Sequence, residues 1–222
     1  MKKILLPLLV VMTLTGCHTK PELRKDIADF ISRFSLKESM DAYKSGGYTY
    51  LVEDNIEGKK SVTRIEMEFS YLDANHPTYS KITTNYEDDV QTSKEEVEFV
   101  EMDEKYYIST NGELKESSLD ECSKLIENFF FLKSQVDGEY HTQGMYYGDY
   151  IKQIAPVVQN RITIDQENEL YLYEYEVEAI QDGVIVNYTQ NYSVNKLGML
   201  VENHAIAQSV KETKKTDVYV HD

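Results

Sequence analysis

The chain has 222 residues, 39 of them acidic against 23 basic, for a formal net charge of -16. Such a charge excludes recognition of nucleic acid through a basic footprint and leaves no polybasic patch for anionic lipid. The length suits one domain around a single core, and with Cys17 and Cys122 as the two cysteines a mature chain beginning at Cys17 has no structural disulfide framework.

At the N-terminus, Lys2 and Lys3 precede an apolar stretch, Ile4 to Leu14, that is too short to span a membrane. Leu14-Thr15-Gly16-Cys17 closes it. Small residues ahead of the cysteine suit cleavage of the Gly16-Cys17 bond, and the Cys17 thiol can then carry a diacylglyceryl group. These four residues resemble the lipobox of bacterial lipoproteins. The resemblance implies a signal peptide over residues 1–16, a lipidated Cys17 followed by a tether over 17–22, and a secreted chain anchored to the cell membrane on its extracytoplasmic face. The other reading is an ordinary signal peptide with a chance cysteine. Losing residues 1–16 removes two lysines and no acids, which takes the charge from -16 to -18. Attachment then rests on the lipid, in which each buried methylene contributes about 0.8 kcal/mol.

Leu23, Ile27, Phe30, Ile31 and Phe34 recur at helical spacing with charged residues between them, which predicts an amphipathic helix. Its polar side lacks the basic excess of a membrane-lying helix, so the apolar stripe is expected to face a core. Ser35-Leu36-Lys37-Glu38 has the capping-box pattern for a second helical turn, which Gly46-Gly47 is expected to stop. From Tyr48 the period is two. Ile65, Met67, Phe69 and Tyr71 alternate with Glu66, Glu68 and Ser70, a half-buried strand paired with Tyr48 to Glu53. A strand near Tyr79 to Tyr86 follows, then a polar loop from Glu87 to Lys94. A turn at Asp103-Glu104 sets Phe99 opposite Ile108, and Asn111-Gly112 makes another.

Ser118-Leu119-Asp120-Glu121 is a second capping box, opening a helix that carries Leu119, Cys122, Leu125, Ile126, Phe129 and Phe130 on one face. Cys122 on that stripe reads as a buried thiol rather than a nucleophile. Ser134 to Tyr150, rich in glycine and tyrosine, is expected to be irregular, and Ile151 to Val158 is short and interrupted by Pro156. An Asp182-Gly183 hairpin turn would place Tyr173 opposite Tyr192, Val177 opposite Tyr188 and Tyr171 opposite Val194 on one face. Glu174, Glu176 and Glu178 would then share the other with Asn191, Thr189 and Asn187. Lys196-Leu197-Gly198 turns into a strand from Met199 to Ala207, and the charged tail beyond Ser209 has room for a short strand at Val218 to Val220.

Hairpins dominate this order, so the expected fold is α+β, a curved antiparallel sheet with helices packed on its concave face, as one domain over residues 23–222. The arrangement behind a lipobox resembles the lipoprotein-carrier superfamily that includes LolA, LppX and LprG. That resemblance implies a LolA-like half-barrel closed over helices and able to hold acyl chains. In those carriers an arginine inside the barrel helps to close the lid, and neither Arg64 nor Arg161 can be matched to it.

Catalytic patterns do not emerge. His18, His76, His141, His204 and His221 are dispersed, and there is no nucleophile elbow or phosphate loop. Glu174, Glu176 and Glu178 project side by side from a straight strand, which cannot gather the six to eight oxygens of a typical Ca2+ site. No cofactor, metal or catalytic residue is therefore assigned. The expected function is a non-enzymatic, membrane-anchored lipoprotein that binds an apolar ligand such as an acyl chain or lipid. Tyr171, Tyr173, Tyr175, Val177, Tyr188, Tyr192, Phe129 and Phe130 are the apolar face expected to touch it. A protein-protein interaction module with a filled core is the alternative, and a hydrolase with a dispersed site ranks behind both. An internal apolar cavity would separate the first two.

Overall fold

The computed structural model describes residues 22–73, 75–130, 133–136, 139–142, 144–181 and 183–221. The expected signal peptide and Cys17 lie outside them. Two short helices, α1 (Lys25–Ile31) and α2 (Leu36–Ala42), lead into a meander of six strands. These are β1 (Ser45–Ile56), β2 (Lys59–Ser70), β3 (Thr78–Glu87), β4 (Val90–Met102), β5 (Lys105–Thr110) and β6 (Glu113–Ser117). Helix α3 (Leu119–Phe130), the small hairpin β7 (Lys133–Val136) and β8 (Glu139–Thr142), and helix α4 (Gly148–Val158) follow. A 3-10 turn, Gln159–Arg161, then opens a second meander. It comprises β9 (Ile162–Asp165), β10 (Leu170–Gln181), β11 (Val184–Asn195), β12 (Leu200–Gln208) and β13 (Glu212–His221).

The two meanders form one curved antiparallel sheet of 11 strands because β13 pairs with β1, joining them edge to edge. Turn chemistry explains why the first meander is so regular. Glu57-Gly58, Asp88-Asp89, Asp103-Glu104 and Asn111-Gly112 all hold positive φ, the conformation that a two-residue hairpin turn compatible with strand twist demands. Capping behaves as the sequence predicts, with the Ser35 hydroxyl accepting from the Glu38 N–H and that of Ser118 from the Glu121 N–H, both at 3.3 Å.

Alternation sorts the sheet into two faces. Met67, Phe69, Tyr79 and Phe99 are buried on the inner face, beneath the helices, while Glu68, Glu174, Glu176 and Glu178 lie exposed on the other. Helix α3 presses Phe129 and Phe130 onto Phe69, with ring centroids 4.6 and 5.8 Å away. Helix α1 packs beside α4 and β9, fixed by the Arg24 guanidinium, which donates to the Ile162 carbonyl at 3.0 Å.

Five stretches differ from the sequence reading. Gly46 and Gly47 do not stop α2, which ends at Ala42, but open β1. A Cβ on Gly47 would lie 2.3 Å from the Met67 carbonyl oxygen, so glycine allows close strand approach there. Glu87 to Lys94 is mostly strand rather than loop, its polarity being that of an exposed hairpin end. Within the stretch expected to be irregular, the described residues include β7 and β8, and Ile151 to Val158, expected to be interrupted by Pro156, lies in α4. Pro156 falls in the last turn, where it forgoes only the bond to the Lys152 carbonyl. Finally, the charged tail is a full strand. Its ions meet partners across the ladder, Lys214 with Asp54 at 3.6 Å, Lys215 with Glu53 at 3.9 Å and Asp217 with His204 at 2.8 Å.

Candidate functional site

The β10–β11 hairpin has the register expected from its alternation. Tyr173 lies opposite Tyr192, Tyr171 opposite Val194 and Val177 opposite Tyr188, and Gln181 faces Val184 across a turn containing Gly183. Asp182 itself is outside the described residues. Tyr171, Tyr173 and Tyr192 are buried on the inner face, Tyr175 is half-buried, and Glu174 and Glu176 are exposed opposite Asn191 and Thr189.

The rings form a continuous stack. Tyr192 lies between Tyr173, at 4.8 Å, and Tyr171, at 6.3 Å, and Tyr173 in turn stacks on Tyr175. Helix α4 and the residue before it add two more rings, Tyr147 at 5.6 Å from Tyr192 and Tyr150 at 6.3 Å from Tyr147. The Arg161 guanidinium sits 4.5 Å above the Tyr175 ring, a cation-π contact, and draws down the neighbouring Tyr173 phenol against the dominant effect of burial. Arg161 has no carboxylate within ion-pair distance among the described residues.

Burial controls the chemistry of this cluster. It pushes the Tyr150 phenol up to about 12 and raises those of Tyr147, Tyr171 and Tyr192 further, with the neighbouring phenols adding to the effect. All are hydrogen-bond donors at neutral pH. The hydroxyls of Tyr171 and Tyr192 influence one another, yet neither oxygen has a partner in hydrogen-bonding geometry, although the residues are only 0% and 3% exposed. Buried polar groups rarely stay unpaired, and each such group costs about 1–3 kcal/mol.

Five of the eight expected apolar residues, Phe129, Phe130, Tyr171, Tyr173 and Tyr192, lie in one main core, at different places within it. Phe129 and Phe130 belong to the packing over β1 to β3, Tyr171, Tyr173 and Tyr192 to the tyrosine stack, and Tyr188 to a smaller cluster with Val186 and Ala207. Val177 joins that smaller cluster, and Tyr175 touches both it and the main core. Tyr147, Tyr150 and Arg161 were missed because their segment shows no clear period. The available signal was the Tyr147-x-x-Tyr150 spacing, which places both rings on one side of a helix.

Elsewhere the polar side chains have structural work. Cys122 is fully buried and its thiol is pushed up to about 11 by burial, which suppresses the nucleophilic thiolate. His204 stands on the outer face between Asp217 and Glu202, which together raise it above its ordinary value, the Asp217 hydrogen bond most. Asp165 accepts from the Glu167 and Asn168 N–H groups at 3.0 Å, closing the β9–β10 turn. Two open grooves lie at opposite strand ends, one around Asn55 and Lys211 and one around Tyr43 and Lys196, and neither includes the tyrosine stack.

No family model matches the chain, and no curated protein matches it. Among solved structures it is similar to a DUF1329 family protein from Desulfovibrio piger, with 11% identity, 88% of this chain and 91% of that chain covered, and a TM-score of 0.25. A likeness at that level assigns neither a fold family nor an activity.

Proposed function

We propose that the protein is a non-enzymatic lipoprotein of the cell envelope, tethered through acyl chains on Cys17 to the extracytoplasmic face of a membrane. Its sheet acts as a LolA-like half-barrel that binds an apolar ligand, of the acyl-chain or lipid class, against the inner face. The observation that carries the ligand reading is the incomplete cover of that face. Beyond the packed helices, Val52, Ile65, Tyr175, Val177 and Ala179 lie on the inner side of the sheet and are only half-buried. Apolar side chains that the helices leave half-buried on one face offer a surface against which a ligand tail can pack. The packing of Phe69, Phe129 and Phe130 favours the second reading, an interaction module with a filled core, over that part of the molecule.

Two experiments test the proposal. Cells grown with labelled palmitate should incorporate label into the wild-type protein and not into Cys17→Ala, and label retained by the variant, or absent from the wild type, removes the anchor. A photoreactive acyl ester added to the full-length protein in membranes should crosslink saturably to β1, β2 or β10 and be displaced by unlabelled ester. Crosslinking that never saturates leaves the interaction module as the reading.

A further inference from the structure

We propose that the phenols of Tyr147, Tyr150, Tyr171, Tyr173 and Tyr192, with the guanidinium of Arg161, are a head-group subsite for the carboxylate of a long-chain acid. The inference rests on the apolar-ligand reading and specifies which apolar ligand the face takes. The charged member of this cluster is a cation, and its phenols can all donate. Two phenol oxygens are buried without a partner, at 0% and 3% residue exposure, and the guanidinium beside Tyr173 and Tyr175 has no carboxylate in reach among the described residues. A ligand that enters supplies what is missing, an acceptor group carrying negative charge.

The charge balance narrows the ligand class. One guanidinium can neutralise one negative charge, whereas a phosphate dianion in a chain of net charge -16 would call for more cations than the cluster offers. Along the same face, Tyr147 neighbours Tyr50 and Tyr50 neighbours Asp54. Asp54, a carboxylate on that face, is paired through Oδ2 with Lys214 at 3.6 Å, which offsets its charge, while its Oδ1 is buried without a hydrogen-bond partner. Glu174 and Glu176 project from the opposite side of the sheet. Tyr147, Tyr150, Tyr175 and Arg161 are each half-buried, so the cluster borders the half-buried apolar strip where Val177 and Ala179 would take the tail.

The test compares palmitate with methyl palmitate as competitors of the photoreactive ester, on the full-length protein in membranes. Palmitate should displace it at about tenfold lower concentration, since a charge-assisted hydrogen bond is worth that order of affinity. Arg161→Gln and Tyr192→Phe should each remove most of the roughly tenfold advantage of palmitate over the ester, and weaken the ester less, since its carbonyl accepts a hydrogen bond but carries no charge. Tyr192→Phe keeps the ring and removes an unpartnered buried oxygen, so its melting temperature should match or exceed that of the wild type, which separates lost binding from lost folding. Equal competition by acid and ester, unaffected by either variant, overturns the head-group subsite while the apolar-ligand reading stands. Failure of both competitors overturns the two together.

Discussion

Phe129→Ala should cost about 4 kcal/mol of folding stability, within the 3–5 kcal/mol typical of large aromatic truncations in cores. The ring is 1% exposed and anchors α3 to the sheet, lying 4.6 Å from Phe69, 5.0 Å from Phe130 and 6.1 Å from Tyr48. Its neighbours come from two strands and from its own helix, so the void cannot close by the shift of a single side chain. Domains of this kind are stable by only about 5–15 kcal/mol in total. The variant should therefore fold marginally, with a markedly lower denaturation midpoint and an unchanged urea m-value. Leu125→Ala, at a half-buried position of the same helix, should lose less than Phe129→Ala. A loss below about 1 kcal/mol for Phe129→Ala would mean that α3 does not seal the inner face.

Local signals specified most of this molecule and long-range ones did not. The capping boxes at Ser35 and Ser118, the stripe of Cys122, Ile126 and Phe129, and the alternation from Leu170 to Gln181 each depend on neighbours a few residues away, and each appears in the structure where the pattern put it. The pairing of β13 with β1 could not be read in that way. Glu212, Lys214 and Lys215 look like a solvated tail until Asp54 and Glu53 of β1 are set beside the two lysines, and those partners are remote in sequence. Helix α4 failed for a related reason. Pro156 and the preceding glycines argue locally against a helix, while burial of Ile151 and Ala155 against the rest of the core decides for one. The site divides along the same line: Tyr171, Tyr173 and Tyr192 were legible from strand alternation, and Arg161, Tyr147 and Tyr150 join them only once α4 lies over the hairpin.

Tyr173→Ala and Glu176→Gln, three positions apart on β10, should differ sharply. Tyr173 is 7% exposed, stacks on Tyr192 at 4.8 Å and on Tyr175 at 6.3 Å, and has the Arg161 guanidinium beside its hydroxyl. Truncation removes the middle of that stack and leaves a void in the main core, at a cost of about 3 kcal/mol or more. Glu176 is exposed on the other face opposite Thr189, so neutralising it should change stability by less than about 0.5 kcal/mol. The pair is informative because strand geometry leaves no intermediate arrangement. Slipping the register by one residue would bring the carboxylates of Glu174, Glu176 and Glu178 inward and send the tyrosines into water. Chemical denaturation of both variants measures the contrast, and comparable losses, or a larger loss for Glu176→Gln, would overturn the facing of β10. The inward tyrosine stack, and with it the surface proposed to hold the ligand, depends on that facing.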